Sequence, residues 1–308
     1  MGAQRGKILV VVIGIVLSIT LSSCRAYEKG DLRITDIEIF KDTPAWELAL
    51  AVKRQSTKSI EKTIRTNPGL LNFQEPHFGA TLLLWSVGME KYNSAKKLLE
   101  LGADPDIAST YDGTTPLFQA SGFSWVSVAW FPNEDPKYVK LLLQYGADPN
   151  TTFKGHNKPG INNIVERGTS ALMHSVGAGL EKTKALVKGG ADLNYKTVTG
   201  RTAAVRALFW GEPKYAYYLI AECKARVTEP IWAREEWTQA NNAPVYPVEL
   251  LRDWVFKIGS KEHQMKMEIV EEFKRQGVDY WGTEVPKSRF EQIKKLYPDT
   301  WEEYIQKY

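Results

Sequence analysis

Three stretches of the chain stop in the same way. Leu98 to Asp106 reads LLELGADPD, Leu141 to Asn150 reads LLLQYGADPN, and Leu186 to Asn194 reads LVKGGADLN. The first glycines of their Gly-Ala-Asp triplets, Gly102, Gly146 and Gly190, are spaced by 44 and 44 residues. Each copy has the makings of a helix end. Apolar residues fill the last turn, and glycine takes the left-handed conformation in which a Cβ would clash. Alanine then allows close packing, and Asp, Pro or Asn carry the chain into a turn. A chain that ends helices this way at a fixed interval is predicted to stack similar helical units.

A second signature lies between these stops. The best copy, GTTPLFQA, runs from Gly113 to Ala120. Weaker copies are GATLLLWS (Gly79 to Ser86), GTSALMHS (Gly168 to Ser175) and GRTAAVRA (Gly200 to Ala207). In the best copy the Thr115 hydroxyl can cap the first amides of a helix. Pro116 follows at the first helical position, where no amide hydrogen is needed. The cap residues Thr81, Thr115, Ser170 and Thr202 are separated by 34, 55 and 32 residues.

Together these motifs resemble the ankyrin repeat, whose period is about 33 residues and which starts T-P-L-H-x-A. The resemblance implies an all-α ankyrin-repeat solenoid of about five to six helix-turn-helix repeats. The long interval needs about 22 extra residues: about ten inside the helical pair that follows Thr115, and the rest after Asn150. The expected organisation is a signal peptide at 1–23, a polar tether at 24–42 and a solenoid at 43–282. A helical carboxy-terminal cap follows at 283–308, and the insertions lie near 121–136 and 151–166. Thr43-Pro44 opens a divergent first repeat. Lys224-Ala225-Arg226 replaces the triplet in the fifth. Tyr246 to Phe256 and Met265 to Tyr280 are expected to pair as a degenerate sixth.

The amino terminus reads as a secretion signal. Arg5 and Lys7 precede an apolar run from Ile8 to Thr20 that is short for a membrane span. Leu21-Ser22-Ser23-Cys24 then resembles a bacterial lipobox, which implies a lipid on Cys24. An uncleaved signal anchor, or secretion with an incidental cysteine, are the other readings. Arg25 stands where an aspartate would direct retention in the inner membrane. By that resemblance the expected place is the outer membrane, facing the periplasm, if the host has two membranes. Losing Arg5 and Lys7 from 40 basic residues leaves 38 against 36 acidic ones, so overall charge offers nothing to draw nucleic acid. Cys223, the only other cysteine, has no intramolecular partner once Cys24 is acylated, and is expected to be a buried thiol.

No catalytic motif emerges. The histidines His77, His156, His174 and His263 lie far apart, without metal-ligand spacing, and no nucleophile elbow or phosphate loop is present. His174 falls one position past the family's usual histidine, where Met173 stands. The sequence therefore predicts neither an enzyme nor a cofactor or metal. What stands out is the pair of insertions. Ser121 to Pro136 carries Phe123, Trp125, Trp130 and Phe131. These aromatics either extend the core or form a partner-binding patch, since tryptophan is enriched among interface hot spots. Thr151 to Glu166 reads as a lengthened finger loop, with Phe153, Lys154 and His156 as candidate partner contacts. A tolerated surface insertion is the competing reading. The resemblance implies binding of a protein partner. It extends to lipid-anchored ankyrin proteins that neutralise periplasmic toxins, lipases among them, as immunity proteins. A constitutive envelope scaffold or adaptor is the alternative. Replacing Cys24 by alanine is expected to abolish palmitate incorporation and release the chain from the membrane fraction. Membrane retention of the variant, with no label entering the wild type, would exclude the lipid anchor.

Overall fold

A computed structural model describes residues 32–126, 134–155, 165–231 and 244–308. Within them the chain forms six successive helix pairs. These are α1 (Trp46–Lys53) with α2 (Thr57–Thr66), α3 (Leu82–Gly88) with α4 (Tyr92–Glu100), and α5 (Pro116–Ser121) with α6 (Lys137–Gln144). Next come α7 (Ala171–Ser175) with α8 (Leu180–Lys188), α9 (Ala203–Trp210) with α10 (Pro213–Ala216), and α11 (Pro247–Arg252) with α12 (Lys261–Arg275). A π-helical turn, Tyr217–Glu222, prolongs α10. First helices pack on first helices and second on second, so the pairs stack as two layers. Two further helices, α13 (Lys287–Leu296) and α14 (Trp301–Lys307), close the carboxy-terminal end. Only isolated β-bridges occur among the described residues: Gln74 with Thr81, Thr152 with Ser170, and Ile231 with Val245.

The caps form as their residue types require. The hydroxyls of Thr81, Thr115, Ser170 and Thr202 accept from the amides of Leu84, Phe118, Met173 and Val205 at 3.1–3.2 Å. Behind each cap sit leucines, alanines and valines that are almost wholly buried between the layers. At the other end of the repeat, Gly102, Gly146 and Gly190 hold φ of +92°, +87° and +93°. The following alanine amides, Ala103, Ala147 and Ala191, then reach back to Leu98, Leu142 and Leu186 at 3.0 Å, closing the helix ends. Lys224 makes the same turn without a glycine, at φ +63°. There the π-helical turn adds a residue, and Ala225 reaches Leu219, one residue further back than its counterparts do. The degenerate triplet thus keeps the geometry by lengthening the last turn.

Adjacent repeats are tied at the next residue. The amides of Asp104, Asp148, Asp192 and Arg226 donate to the side-chain oxygens of Asn72, Asp106, Asn150 and Asn194, at 2.8–3.0 Å. Each acceptor belongs to the preceding repeat. Within a repeat, Asp104, Asp148 and Asp192 accept in turn from the amides of Asp106, Asn150 and Asn194. The result is a continuous hydrogen-bonded row along the stack.

The structure corrects the sequence reading in several places. The tether is shorter than 24–42, because Ile37, Ile39 and Phe40 form a buried 3₁₀ turn against the first repeat. Helix α11 stops at Arg252, short of Phe256. Trp254 then folds back, and its indole donates to the Leu208 carbonyl at 3.0 Å. Cys223 is half-buried, with the Tyr218 hydroxyl for a neighbour, so it is less enclosed than expected. The carboxy-terminal helices are locked by a buried cation cluster. Lys266 donates to the Trp254 carbonyl at 2.7 Å and lies 3.8 Å from the ring centre of Tyr308. Arg252 donates to the carbonyls of Thr283, Trp281 and Tyr308 and stacks 4.0 Å from the Tyr280 ring. Burial, and secondarily Arg252, push the Lys266 ammonium down to about 6.

Asp106 is the one carboxylate among the four acceptors of the inter-repeat row. Desolvation and the nearby charges of Asp104 and Asp148 raise its pKa, against the pull of the Asp148 amide. Asp106→Asn keeps the acceptor oxygen and removes the charge. We expect it to stabilise the protein at pH 7 by about 0.5 kcal/mol, the scale of an exposed charge contact. A raised folded-state pKa makes the cost of the charge full above that pKa. The cost disappears as pH falls through it towards the ordinary carboxylate value. Denaturant melts of the two proteins should therefore converge in that acid window.

Candidate functional site

One register recurs along the first-helix layer. Four residues after each cap come Trp85, Gln119, His174 and Arg206, on the neighbouring helices α3, α5, α7 and α9. Trp85 is buried in the core, and the other three are half-buried. Three of these four carry a buried polar atom without a hydrogen-bond partner: Trp85 Nε1, His174 Nδ1 and Arg206 Nε. Gln119 is satisfied, donating to the Phe123 carbonyl at 3.0 Å. Unpaired buried polar atoms are uncommon because each forfeits its hydration without return. Their recurrence at one repeat position marks this stripe.

The surroundings of the stripe are aromatic and basic. His174 stacks on Phe118 with ring centres 4.4 Å apart and planes 6° from parallel, and Phe118 stacks in turn on Phe153 at 5.6 Å. The Arg206 guanidinium lies 3.9 Å from the ring centre of Trp210. Phe209 and Trp210 are each 47% exposed, at the open end of α9. Burial first, then Arg206 and Lys182, push the His174 imidazole down to about 3, so it is neutral at physiological pH. Burial, then Arg201, lowers the Arg206 guanidinium to about 10, which leaves it charged. Neighbouring Arg201 has an acidic partner: Glu166 lies 3.4 Å away and also accepts from Thr199 at 2.6 Å. Among the described residues Arg206 makes no ion pair.

A second row links the ends of the first helices. Trp125 lies on Gly88, His174 on Gly122 and Trp210 on Gly177, each ring crossing onto the preceding repeat. A Cβ on Gly88 would fall 2.2 Å from Trp125, and one on Gly122 would fall 2.0 Å from His174. The glycines are there so that rings can lie flat on backbone. Beside this row Lys182, 4% exposed, donates to the Gly122 carbonyl at 2.6 Å. Its burial lowers the ammonium to about 8, against the opposing charges of Glu90, Asp135 and Glu134. The buried Tyr138 hydroxyl, without a partner, lines a shallow cavity together with Lys182 and Gly122.

The ankyrin-repeat family model matches residues 127–230 in three copies. That stretch is built of ankyrin repeats. Helix pairs of the same kind continue on both sides of it. Ankyrin repeats are protein-interaction modules and are typically non-catalytic. A search of curated proteins finds no match.

The residues singled out from sequence are placed unevenly by these ankyrin repeats. Phe153 is 6% exposed and stacked in the core, so its ring is not available to a partner. Its backbone instead pins the finger base, donating to Thr169 and accepting from Gly168. Lys154 is exposed, and its aliphatic stem lies against Gly113 of the preceding finger. Trp125 is half-buried on Gly88, and its amide donates to the Gly88 carbonyl at 3.1 Å, which makes it chiefly a packing residue. His156, Trp130 and Cys24 lie outside the described residues. The antiparallel bridge between Ile231 and Val245 escaped the sequence reading.

Gly88→Ala is expected to cost about 1–3 kcal/mol in thermal or denaturant unfolding, the usual scale of overpacking. Trp125 emission should shift to the red as the ring is displaced. Gly69→Ala, where a Cβ meets nothing closer than 3.6 Å, is the control and should stay within about 0.5 kcal/mol of the wild type. Equal effects at the two sites would contradict the ring-on-glycine contact.

Proposed function

We propose that this chain is a lipid-tethered recognition protein of the bacterial envelope, which binds a protein partner along its first-helix layer. The observation that carries the recognition surface is the solvent-facing Phe209–Trp210 pair, set beside Arg206 on an otherwise buried helix. Tryptophan and arginine dominate interface hot spots because they bring large area and directed polar contacts together. Rigidity favours the same reading, since a stacked solenoid loses little freedom on binding. On the finger side, exposed Lys154 extends the surface.

The tether rests on the lipobox at Leu21 to Cys24 and would place the solenoid at the outer membrane, facing the periplasm. A membrane-held binder meets a partner at the same surface at high effective concentration. That is the physical advantage of an immunity protein that neutralises a toxin, such as a lipase, delivered to the periplasm.

The test is a competition experiment with an in-frame deletion in the host bacterium, complemented by the full chain or by its Phe209→Ser/Trp210→Ser variant. Immunity predicts that the deletion strain is killed by wild-type sister cells, that the full chain rescues it, and that the variant does not. Equal survival of all strains, with a partner still recovered by cross-linking, would replace immunity with an envelope scaffold. Equal survival with no cross-linked partner would reject recognition itself.

A further inference from the structure

Arg206 is the residue for which the fold provides least. Its side chain is half-buried, its enclosed Nε has no acceptor, and among the described residues it makes no ion pair. Glu166, the nearest opposing charge acting on it, is already engaged by Arg201 and Thr199. Trp210 covers one face of the guanidinium at 3.9 Å and so fixes its plane. A cation taken out of water is costly unless it is paired or hydrogen-bonded. Lys182, Lys266 and Arg252 donate to backbone carbonyls, whereas Arg206 Nε has no acceptor. A planar guanidinium held by stacking presents its donors in the fork that fits a carboxylate. The adjoining position of the stripe shares the deficit: the neutral imidazole of His174 has an unsatisfied Nδ1.

Resting on the recognition reading above, we propose that the partly exposed Gln119–His174–Arg206 stripe takes an acidic segment of the partner protein, with one Asp or Glu carboxylate seated on Arg206 against Trp210. Phe209 and Trp210 would supply the apolar rim. Arg201 beside them is paired with Glu166 and so does not compete for the same carboxylate.

A phage-displayed library of random twelve-residue peptides, panned on the immobilised full chain, tests this whatever the partner is. Enriched peptides are expected to carry Asp or Glu at a shared position. A synthetic copy of the best one should perturb Trp210 emission. Changing its acidic residue to the amide should weaken binding about tenfold or more, as when a buried charge contact loses one member. Arg206→Met should weaken binding similarly while melting no lower than the wild type, because it removes an uncompensated charge. Arg206→Lys should recover only part of the affinity. A residue with a merely structural role would lower the melting temperature and leave the peptide's acid-to-amide effect intact. Enriched peptides without acidic residues, or a best peptide indifferent to the amide swap, would overturn the acidic anchor and leave recognition standing. A library that yields no binder would count against both.

Discussion

The stack depends on one repeated contact: a backbone amide just past each helix stop, received by an Asn or Asp side chain of the preceding repeat. Apolar burial between the two layers supplies most of the stabilisation, but burial has no direction and would tolerate sliding. The amide row fixes register. The second to fifth repeats are pinned at the finger edge by that row, and at the other end of the first helix by aromatic rings on glycines. With both ends pinned, the first helices lie side by side, and their fourth post-cap residues come into line.

That alignment turns a packing rule into a surface. Gln119, His174 and Arg206 therefore form a partly exposed stripe, with Trp85 of the same register buried in the core, although at least 32 residues separate each from the next. The core hydroxyls of Ser86, Ser121 and Ser175 donate to carbonyls one turn back, whereas that of Tyr138 has no partner. On the half-buried part of the stripe, the unsatisfied groups of His174 and Arg206 read as provision for another molecule. The same logic explains the cost accepted at Arg206, which no carboxylate of the described chain offsets.

Much of the architecture was legible in the sequence because each signal was local. The Thr81, Thr115, Ser170 and Thr202 caps and the Gly102, Gly146 and Gly190 stops act within a few residues. Their hydrogen bonds follow from residue type alone. Contacts between repeats are harder to see. The partner of Gly88 is Trp125, and nothing near Gly88 reveals it. Phe153 reads as an exposed finger residue because its neighbours are polar, yet it completes a stack begun by Phe118 one repeat earlier. Lys224 hides a helix stop because the π-helical turn before it shifts the pattern by one residue. The stripe emerges from sequence only if the fourth residue after every cap is set side by side. Even then, the missing partner of Arg206 is a fact about space and not about spelling.

The central claim is that the inter-repeat amide row sets the register on which the recognition stripe depends. Amide hydrogen exchange tests it directly. Asp104, Asp148, Asp192 and Arg226 lie in connecting turns, where free amides exchange quickly. If the row holds the stack, their amides are protected to nearly the same free energy as the buried helix amides of Leu98, Leu142 and Leu186. Fast exchange at all four, with the helices still protected, would show that the repeats keep register by burial alone and would contradict the account.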